Sequence, residues 1–494
     1  MKKHYSVIPM IKLRYWIFFF LVHVAFGQGY DNPLTVQGTD HTTLQSAASR
    51  AAGGTTILLE NDVSLMFTNP ATLQSLKGIQ VSVGGVEDYL SSQQVQQYAP
   101  LKYYSNFSLL MEGLTGYISN PDTSFHGTNA GDTVQRPYDN IGPNWWRKTT
   151  RGRPLQVLLG VPFTLGDHTC TIGLGAVQYA NLNSYYANNN ILSPAIGSER
   201  PTPTPLPTGT DSLPVSWYQY IRDRDGYING YGIAFSGSPV ENLSVGLSAL
   251  FLSGSSDDYE QHTGRGTLLF FANWFRLDSV YNRVTRTGTS DYSGQEFTLS
   301  GIYHGRNLSL GFSIKPPMTI TRKFNSTIRT DTTGSPVVTT LSGEDKIKLP
   351  WRGMVGLSLL VRDNIRLGLE YEIRSYASAV YTDANGTESN PWLSASVAHF
   401  GVDYAALDWL SIRAGVHEQA EVFQEEGNPL IGDAVSFTIY SAGCGLQFSG
   451  VHLNLTYEYG LLKYDDTWQT NVNINRTWYN TLIANVLYDV PWKW

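Results

Sequence analysis

Several runs in the second half of the chain alternate between apolar and polar side chains. Residues 451–461 place an apolar side chain at every second position, and residues 365–374 do the same. Arg362-Asp363-Asn364 separates this second run from another one, residues 355–361. A period of two is that of a β-strand with one apolar face, and a short turn between two such runs joins antiparallel neighbours. The sequence therefore predicts an all-β fold of consecutive antiparallel strands.

The composition favours a barrel in a membrane over a soluble β-sandwich. Charged residues make up only 15% of the chain, against about 25% in ordinary soluble domains, while aromatic residues reach 13%. The last run, residues 482–494, carries an apolar or aromatic side chain at every second position up to Trp494. A soluble protein rarely leaves such a face uncovered. The sequence therefore predicts a transmembrane antiparallel β-barrel.

The barrel is expected to occupy residues 77–494. We count about sixteen alternating runs between residues 79 and 490, and some of them can be halves of one bent strand. Three long polar stretches lack an apolar pattern of their own and are predicted to be external loops: residues 119–153, 181–214 and 323–346.

The N-terminus has the features of a secretory signal. Basic residues precede an apolar run at residues 15–26, and the small residue Gly27 follows it. The run is shorter than the roughly twenty residues that a membrane-spanning helix needs. We therefore predict a signal peptide over residues 1–27, cleaved after Gly27, and export of the rest of the chain.

Residues 28–76 are predicted to fill the inside of the barrel as a hatch. Residues 57–67 are apolar without a clear strand or helix period, and Asn69-Pro70-Ala71 forms a turn after them, because proline fixes its own φ and disfavours helix before it. An apolar segment placed before a series of strands needs a surface that buries it. Some of its residues are candidates for lining a ligand channel, or alternatively only pack against the wall: Ile57, Leu58, Leu59, Leu65, Met66 and Phe67.

Three arginines on polar strand faces would point into the lumen, namely Arg366, Arg374 and Arg413. One of them could bind a carboxylate headgroup with two parallel hydrogen bonds. Alternatively, they form an internal salt-bridge network with the acidic residues of the same strand faces, which are Glu370, Glu372 and Glu458.

Several motifs resemble the FadL/TodX family of outer-membrane transporters. Asn69-Pro70-Ala71 is followed by Leu76-Lys77-Gly78 and by the alternating strand at residues 79–83, which is similar to the start of that family. Gly160-Val161-Pro162-Phe163 and Leu349-Pro350 are similar to later strands of the family. The resemblance extends over nearly the whole mature chain, and its most specific part is the Asn-Pro-Ala motif behind an apolar segment.

The resemblance implies a barrel of about fourteen strands with an N-terminal hatch. It also implies passive uptake of long-chain fatty acids or other hydrophobic molecules across the outer membrane of a Gram-negative bacterium, with lateral release beside a kinked strand. Outer-membrane lipid and a hydrophobic small molecule would then be the partners. Some relatives of the family work in protein secretion, so a surface interaction protein with envelope protein partners is the alternative. A polar porin is a third hypothesis.

The sequence gives little support to catalysis, metal binding or nucleic-acid binding. No serine motif precedes a helix, and the histidines lack the spacing of zinc ligands. Asp223-Arg224-Asp225-Gly226 resembles the start of a calcium loop, but the later ligands are missing. The net charge of −7 argues against a general nucleic-acid binder. We therefore expect no catalytic residues, no metal and no cofactor.

Overall fold

A closed antiparallel β-barrel of 14 strands forms the wall of the molecule. The computed structural model describes residues 44–98, 144–166, 168–194, 213–270, 275–278, 282–332, 334–390, 392–394, 396–421, 428–429, 435–468 and 471–491. The predicted signal peptide, residues 28–43 and the terminal Trp492 and Trp494 lie outside these residues.

The wall consists of long strands, some of them built from two successive segments, and short segments extend its hairpins. In chain order the strands are β1 (Gln80–Tyr98), β2 (Trp145–Leu165), β3 (His168–Asn181), β4 (Ser184–Pro194), β5 (Leu213–Val240), β6 (Leu243–Phe270), β7 (Phe275–Asp278), β8 (Asn282–His304), β9 (Leu308–Lys315), β10 (Met318–Asp331), β11 (Val337–Leu349), β12 (Arg352–Arg362), β13 (Ile365–Arg374), β14 (Val380–Thr382), β15 (Glu388–Ser389), β16 (Val397–Leu407), β17 (Leu410–Glu421), β18 (Asn428–Pro429), β19 (Val435–Phe448), β20 (Val451–Trp468) and β21 (Asn471–Asp489).

Successive segments share one wall strand in the pairs β3–β4, β9–β10, β11–β12 and β13–β14. Each wall strand pairs with its neighbours in the chain, and β21 pairs with β1 from Tyr98↔Asn471 to Gln80↔Asp489. This last pairing closes the ring, so the sheet has no free outer edge where its first and last strands meet. The structure confirms the predicted fold class.

The helices in the described part of the chain are short. They are α1 (Ala47–Ala51) and the 3-10 helices Val63–Leu65, Pro70–Ser75 and Tyr376–Ser378. The side chain of Ser46 caps α1 by accepting a hydrogen bond from the N–H of Ser49. Among the described residues, no helix has both the length and the apolar character that crossing a membrane requires.

Tight turns connect the strands at one end of the barrel, and longer connections lie at the other end. Glu241-Asn242 joins β5 to β6, and Ser449-Gly450 joins β19 to β20. Asn242 has a φ of 65° and Gly450 a φ of 86°, which the reversal of the chain in two residues requires. Outer-membrane barrels have short periplasmic turns and long extracellular loops, so the tight-turn end is the periplasmic one.

The outward face of the wall carries a continuous apolar band. Its members alternate along each strand with inward-facing polar or small residues, and examples around the ring are Val83, Val157, Leu247, Phe251, Leu299, Phe312, Leu357, Leu369, Phe400, Leu455 and Val486. Aromatic pairs lie near both rims, with Trp146 stacked on Trp478 at the extracellular side and Trp409 on Phe448 at the periplasmic side. Such a band, bordered by aromatic residues, is the lipid-facing surface of a membrane barrel.

The predicted loop boundaries are wrong where strands rise above the apolar band. β2 begins at Trp145, within the predicted loop 119–153, and β4 lies within the predicted loop 181–214. β10 and β11 leave only the residues between Asp331 and Val337 of the predicted loop 323–346. At this height the outward positions carry mostly polar residues, such as Lys148 and Thr150 of β2 and Lys346 of β11. The apolar alternation that marks a strand in the sequence therefore stops before the strand does.

Candidate functional site

Residues 44–76, below called the N-terminal segment, lie inside the barrel. Most of their side chains are buried, and they bond to inward-facing residues from several sides of the ring. Gln80 of β1 accepts a hydrogen bond from the N–H of Val63, and Ser300 of β8 accepts one from the N–H of Ala71. Thr456 of β20 donates to the carbonyl oxygen of Ala47. The segment therefore occupies the lumen.

A belt of wall glycines gives the N-terminal segment its room. A side chain on Gly246 would place its Cβ 2.4 Å from the backbone nitrogen of Ala71, and one on Gly415 would place it 2.2 Å from that of Gly53. Both distances are far below van der Waals contact, so only glycine fits. The remaining members of this glycine belt, each facing the segment from a different strand, are Gly160, Gly173, Gly232, Gly311, Gly368, Gly401 and Gly443.

Charged wall residues bind the segment at two places. One carboxylate oxygen of Glu370 accepts hydrogen bonds from the N–H groups of Thr56 and Ile57, at 2.7 and 2.6 Å. On the other side of the ring, Arg50 donates from Nε to Glu458 at 2.9 Å. A carboxylate that binds two backbone N–H groups satisfies donors that would otherwise be buried without a partner.

The six predicted lining residues are all buried, and Ile57 is the most exposed of them at 7%. Met66 and Phe67 contact Gly173 and Gly232 of the glycine belt, and Leu58 contacts Gly368. Leu65 packs within the segment on Ala48 and Leu59. Ile57 and Leu59 also line a cavity, so these two combine packing with access to open space. Lining of a ligand channel stays a prediction.

The Asn69-Pro70-Ala71 motif lies where the segment meets β6 and β8. Asn69 caps the 3-10 helix Pro70–Ser75, and its amide nitrogen is 3.3 Å from the hydroxyl oxygen of Thr56. The backbone of Pro70 and Ala71 lies against Gly246. The motif therefore fixes a turn of the segment against the wall, and its gating role stays a prediction.

Each of the three predicted arginines has an acidic partner. Arg366 contacts Glu60 of the N-terminal segment at 2.7 Å, Arg374 contacts Glu372 at 2.7 Å, and Arg413 contacts Asp403 at 2.9 Å. Glu370 and Glu458, which the sequence placed in the same network, bind the N-terminal segment instead. The structure does not bring the three arginines together, and binding of a carboxylate ligand by any of them stays a prediction.

Three adjoining cavities lead from the extracellular side to the N-terminal segment. The outer cavity, of about 140 Å³, is lined by Arg147, Tyr185 and Tyr479 among others. The middle cavity, also about 140 Å³, shares Tyr479 and Glu421 with the outer one. The segment cavity, of about 90 Å³, shares Gln45, His417 and Gln419 with the middle one.

A further cavity lies on the periplasmic side of the segment. It measures about 130 Å³ and is lined by Ile57, Leu59 and Glu60 of the segment and by Arg366 and the turn that contains Arg306. The N-terminal segment therefore separates open space on the two sides of the barrel. No group of three or more histidine, cysteine, aspartate or glutamate residues in the described part of the chain could hold a metal ion.

The wall has a gap beside the upper part of β2. The ladder between β2 and β3 runs from Leu165↔His168 to Gln156↔Val177 and ends there. Above it, β3 has a bulge between Gln178 and Ala180 and continues as β4, which pairs with β5. Residues 145–155 of β2 consequently have no ladder partner on this side among the described residues.

Side chains bridge this gap where backbone bonds do not. Arg147 and Arg151 of β2 form ion pairs with Asp223 and Asp225 of β5, at 3.0 and 2.9 Å. Arg153 donates to the amide oxygen of Gln178 at 2.7 Å. The two aspartates that resembled a calcium loop in the sequence are therefore partners of arginines in the structure.

A buried cluster that the sequence did not reveal lies beside the segment cavity. Glu296 of β8 contacts Lys315 and Arg352, and it accepts a hydrogen bond from the hydroxyl of Tyr179. Lys315 directly precedes Pro316, and Arg352, which is opposite Lys315 in the ladder, lies two residues after Pro350. These prolines in two neighbouring strands were the available sequence signal. The contact between Glu296 and Tyr179 forms only because the barrel closes, and no spacing of residues in the sequence predicts it.

Fold and lumen together define a transmembrane β-barrel whose own N-terminal segment occupies its lumen. No family model matches the sequence, and no curated protein matches it. Solved structures do match. A FadL homologue from Pseudomonas aeruginosa has a TM-score of 0.60 at 15% identity, covering 91% of this chain and 99% of that one. The toluene transporter TodX of P. putida has a TM-score of 0.53 at 14% identity, covering 91% of this chain and 100% of that one.

The chain therefore has the FadL-type fold, which is a fold of outer-membrane barrels in Gram-negative bacteria. The predicted resemblance to the FadL/TodX family is confirmed at the level of the fold. The predicted number of strands is confirmed as well, and the surplus runs in the sequence are halves of bent strands such as β9 and β10.

Replacing one glycine of the belt should displace the segment and leave the barrel folded. We expect Gly246→Val to destabilise the seated segment by about 1–3 kcal/mol, because overpacking of a filled site costs this much. Limited proteolysis should detect this destabilisation as faster cleavage within residues 44–76. Gly152→Val is the matched control, since a side chain there meets open space. Equal cleavage in both variants would contradict the role of the belt.

Removal of the Glu370 carboxylate should loosen the same segment from another side. We expect Glu370→Ala to lower its stability by about 2–5 kcal/mol, because the N–H groups of Thr56 and Ile57 lose their buried acceptor. Proteolysis and thermal unfolding of the barrel measure the effect. The outward-facing Glu344→Ala serves as the control. If both variants matched the parent chain, Glu370 would not anchor the segment.

Proposed function

We propose that the protein is a passive outer-membrane channel for hydrophobic and amphiphilic molecules, in which the N-terminal segment is the hatch. The observation that carries the proposal is the position of the segment between the segment cavity and the periplasmic cavity. The segment is held by packing on the glycine belt and by side-chain bonds to the wall, such as those of Glu370, Ser300 and Thr456, and not by ladder bonds, so it can shift within the lumen without unpairing the wall. Solved structures of the same fold are described as a FadL homologue and a toluene transporter.

The gap beside β2 and β3 is the proposed exit for lateral release. The wall strands next to it are held together by side chains above Gln156, so a molecule can pass without breaking ladder bonds. The bulge in β3 turns the strand away from β2 at this height. Both features support the lateral route that the family resemblance implies.

Burial of the apolar chain in the lumen would stabilise a bound amphiphile by about 0.8 kcal/mol per methylene group. Its carboxylate needs a cation or hydrogen-bond donors when water is removed. The segment cavity offers Lys315, Arg352 and Arg374 within one lining. This lining favours acidic amphiphiles, such as fatty acids, among hydrophobic cargoes.

Uptake measurements test the proposal directly. Cells that carry the protein should take up radiolabelled dodecanoate faster than matched cells that lack it, and uptake should need no energy source. Toluene uptake, measured in parallel, shows whether a neutral hydrocarbon is also a cargo. Identical uptake of both compounds with and without the protein would refute the transport function.

Deletion of residues 44–76 should open the barrel to ions. The full chain is expected to give little conductance in planar lipid bilayers, because the segment fills the lumen between the cavities on its two sides. The deleted chain is expected to give stable channels, provided that heat-modifiable mobility shows a folded barrel. A full chain that already conducts as a wide pore would instead support the polar porin.

Loss of the ion pairs across the gap should speed release. We expect the double variant R147A/R151A to raise the uptake rate by at most about thirtyfold, because the two partly exposed pairs contribute at most about 1 kcal/mol each. The rate of dodecanoate uptake measures this change. The variant K463A/R476A removes two outward-facing cations of β20 and β21, which do not bridge the gap, and is the control. A slower or unchanged rate in R147A/R151A would argue against this exit.

A surface interaction role in secretion is the second candidate, and the height of the wall favours it. β5 and β6 each have 28 residues, whereas a membrane-spanning strand needs about 9–11. Polar residues such as Asp257 and Asp291 cover the outward face of the protruding part. Under this alternative, cysteines at these two positions would crosslink an envelope protein in intact cells, and a cysteine at the lipid-facing Leu247 would not. Absence of any crosslinked protein contradicts it.

A further inference from the structure

The hydroxyl of Tyr179 ties the bulge of β3 to a distant part of the wall. Tyr179 is fully buried, and its hydroxyl donates a hydrogen bond to Oε2 of Glu296 at 2.7 Å. β3 pairs with β5, β5 with β6 and β6 with β8, so two wall strands lie between the two residues. The bond therefore runs through the inside of the barrel, from the strand beside the gap to the strand that carries Glu296.

Glu296 in turn holds two cations. Nζ of Lys315 lies 2.6 Å from Oε1, and Nη2 of Arg352 lies 2.5 Å from Oε2. The side chain of Glu296 has no solvent exposure. Nε of Arg352 is buried and has no hydrogen-bond partner in the described part of the chain. One carboxylate thus faces two cations, and an unused donor remains beside them.

The wall is interrupted where this cluster lies. β8 pairs with β9 as far as Leu299↔Ile314 and with β10 from Gly294↔Ile320 onward. Pro316 and Pro317 fall between these pairs, and proline has no N–H to offer the ladder. Glu296 keeps its ladder partner Leu250 on the side of β6, and on the side of β9 and β10 side-chain contacts take the place of ladder bonds. A change in these side-chain contacts does not require the barrel to unpair.

Lys315 and Arg352 also line the segment cavity. We propose that Tyr179 and Glu296 are positioning residues that couple this cavity to the gap beside β3. With the cavity free of cargo, Glu296 engages both cations and, through Tyr179, holds the bulge of β3 in place. A carboxylate in the cavity competes with Glu296 for the same cations, so that Glu296 loses the contacts that fix its side chain, and its bond to Tyr179 no longer holds the bulge in place. The biological purpose of this coupling rests on the proposed function, but the coupling itself can be measured without measuring transport.

Hydrogen exchange of the full chain in lipid nanodiscs tests the first half of this coupling. We expect Tyr179→Phe to speed amide exchange in residues 178–183 about tenfold, because a hydrogen bond to a buried charge contributes at least that factor to the opening equilibrium. Glu296→Gln should act on the same residues. The control Tyr457→Phe removes a hydroxyl bond of the same length, 2.7 Å to the neutral amide of Asn480, on the lipid-facing side. Unchanged exchange in both variants, or faster exchange over the whole barrel, would overturn the coupling.

Addition of ligand tests the second half. Dodecanoate should speed exchange of residues 178–183 in the parent chain, whereas dodecanol, which has the same chain length and no charge, should not. In Tyr179→Phe, where the bond to Glu296 is already absent, dodecanoate should cause little further increase in the exchange rate of residues 178–183. An equal effect of both compounds, or none in the parent chain, would overturn the competition for Lys315 and Arg352.

Failure of the coupling and failure of the proposed function give different results. If cells with and without the protein take up dodecanoate equally while exchange follows the expected pattern, the transport function falls and the coupling stands. If uptake depends on the protein while exchange in residues 178–183 is the same in all variants, the coupling falls and the transport function stands.

Discussion

The close fit between the N-terminal segment and the glycine belt is the constraint on which the rest of the structure depends. At the height of the segment, nine of the wall's strand segments expose backbone instead of a side chain, from Gly160 of β2 to Gly443 of β19. Without this space the segment could not enter the lumen, and the cavities above and below it would be one open channel. Glu370 and Arg50 then fix the orientation of a segment that packing alone would leave free to rotate.

The sequence predicts well those features that the lipid imposes, and poorly those that depend on closure of the ring. Lipid requires an apolar side chain at every second position of a strand. Runs such as residues 482–488 therefore predict where a strand lies, which of its side chains face outward, and in which order the strands follow one another. Above the membrane this requirement ends, and the sequence of a polar strand such as β11 is therefore predicted to be a loop. Inside the barrel the partners are set by register and closure. Arg374 lies two residues from its partner Glu372, and Arg413 lies opposite its partner Asp403 in one hairpin, but no spacing rule joins Tyr179 to Glu296.

Many charged side chains are buried inside the barrel because side chains alternate between the two faces of a strand. Every second residue of a strand must face inward, and the inward faces of β13 and β17 carry glutamate, arginine and histidine. Removal of one member of a buried ion pair costs about 3–5 kcal/mol, so most pairs in the lumen hold their positions firmly. The cluster around Glu296 differs from these pairs, because it holds two cations with one carboxylate at an interruption of the wall.

On the proposed lateral route, the edge of β2 above Gln156 sets the depth at which a cargo would leave the protein. Its backbone N–H and C=O groups have no ladder partner toward β3 among the described residues, and hydrocarbon would leave such groups without water. The stacked Trp146 and Trp478 on the outer surface of the upper β2 and β21 mark the level of the lipid headgroups. An amphiphile that emerges there meets the phosphate layer with its polar end and the acyl chains with its tail. It would join the outer leaflet in the orientation of the lipids already present, without ever turning over.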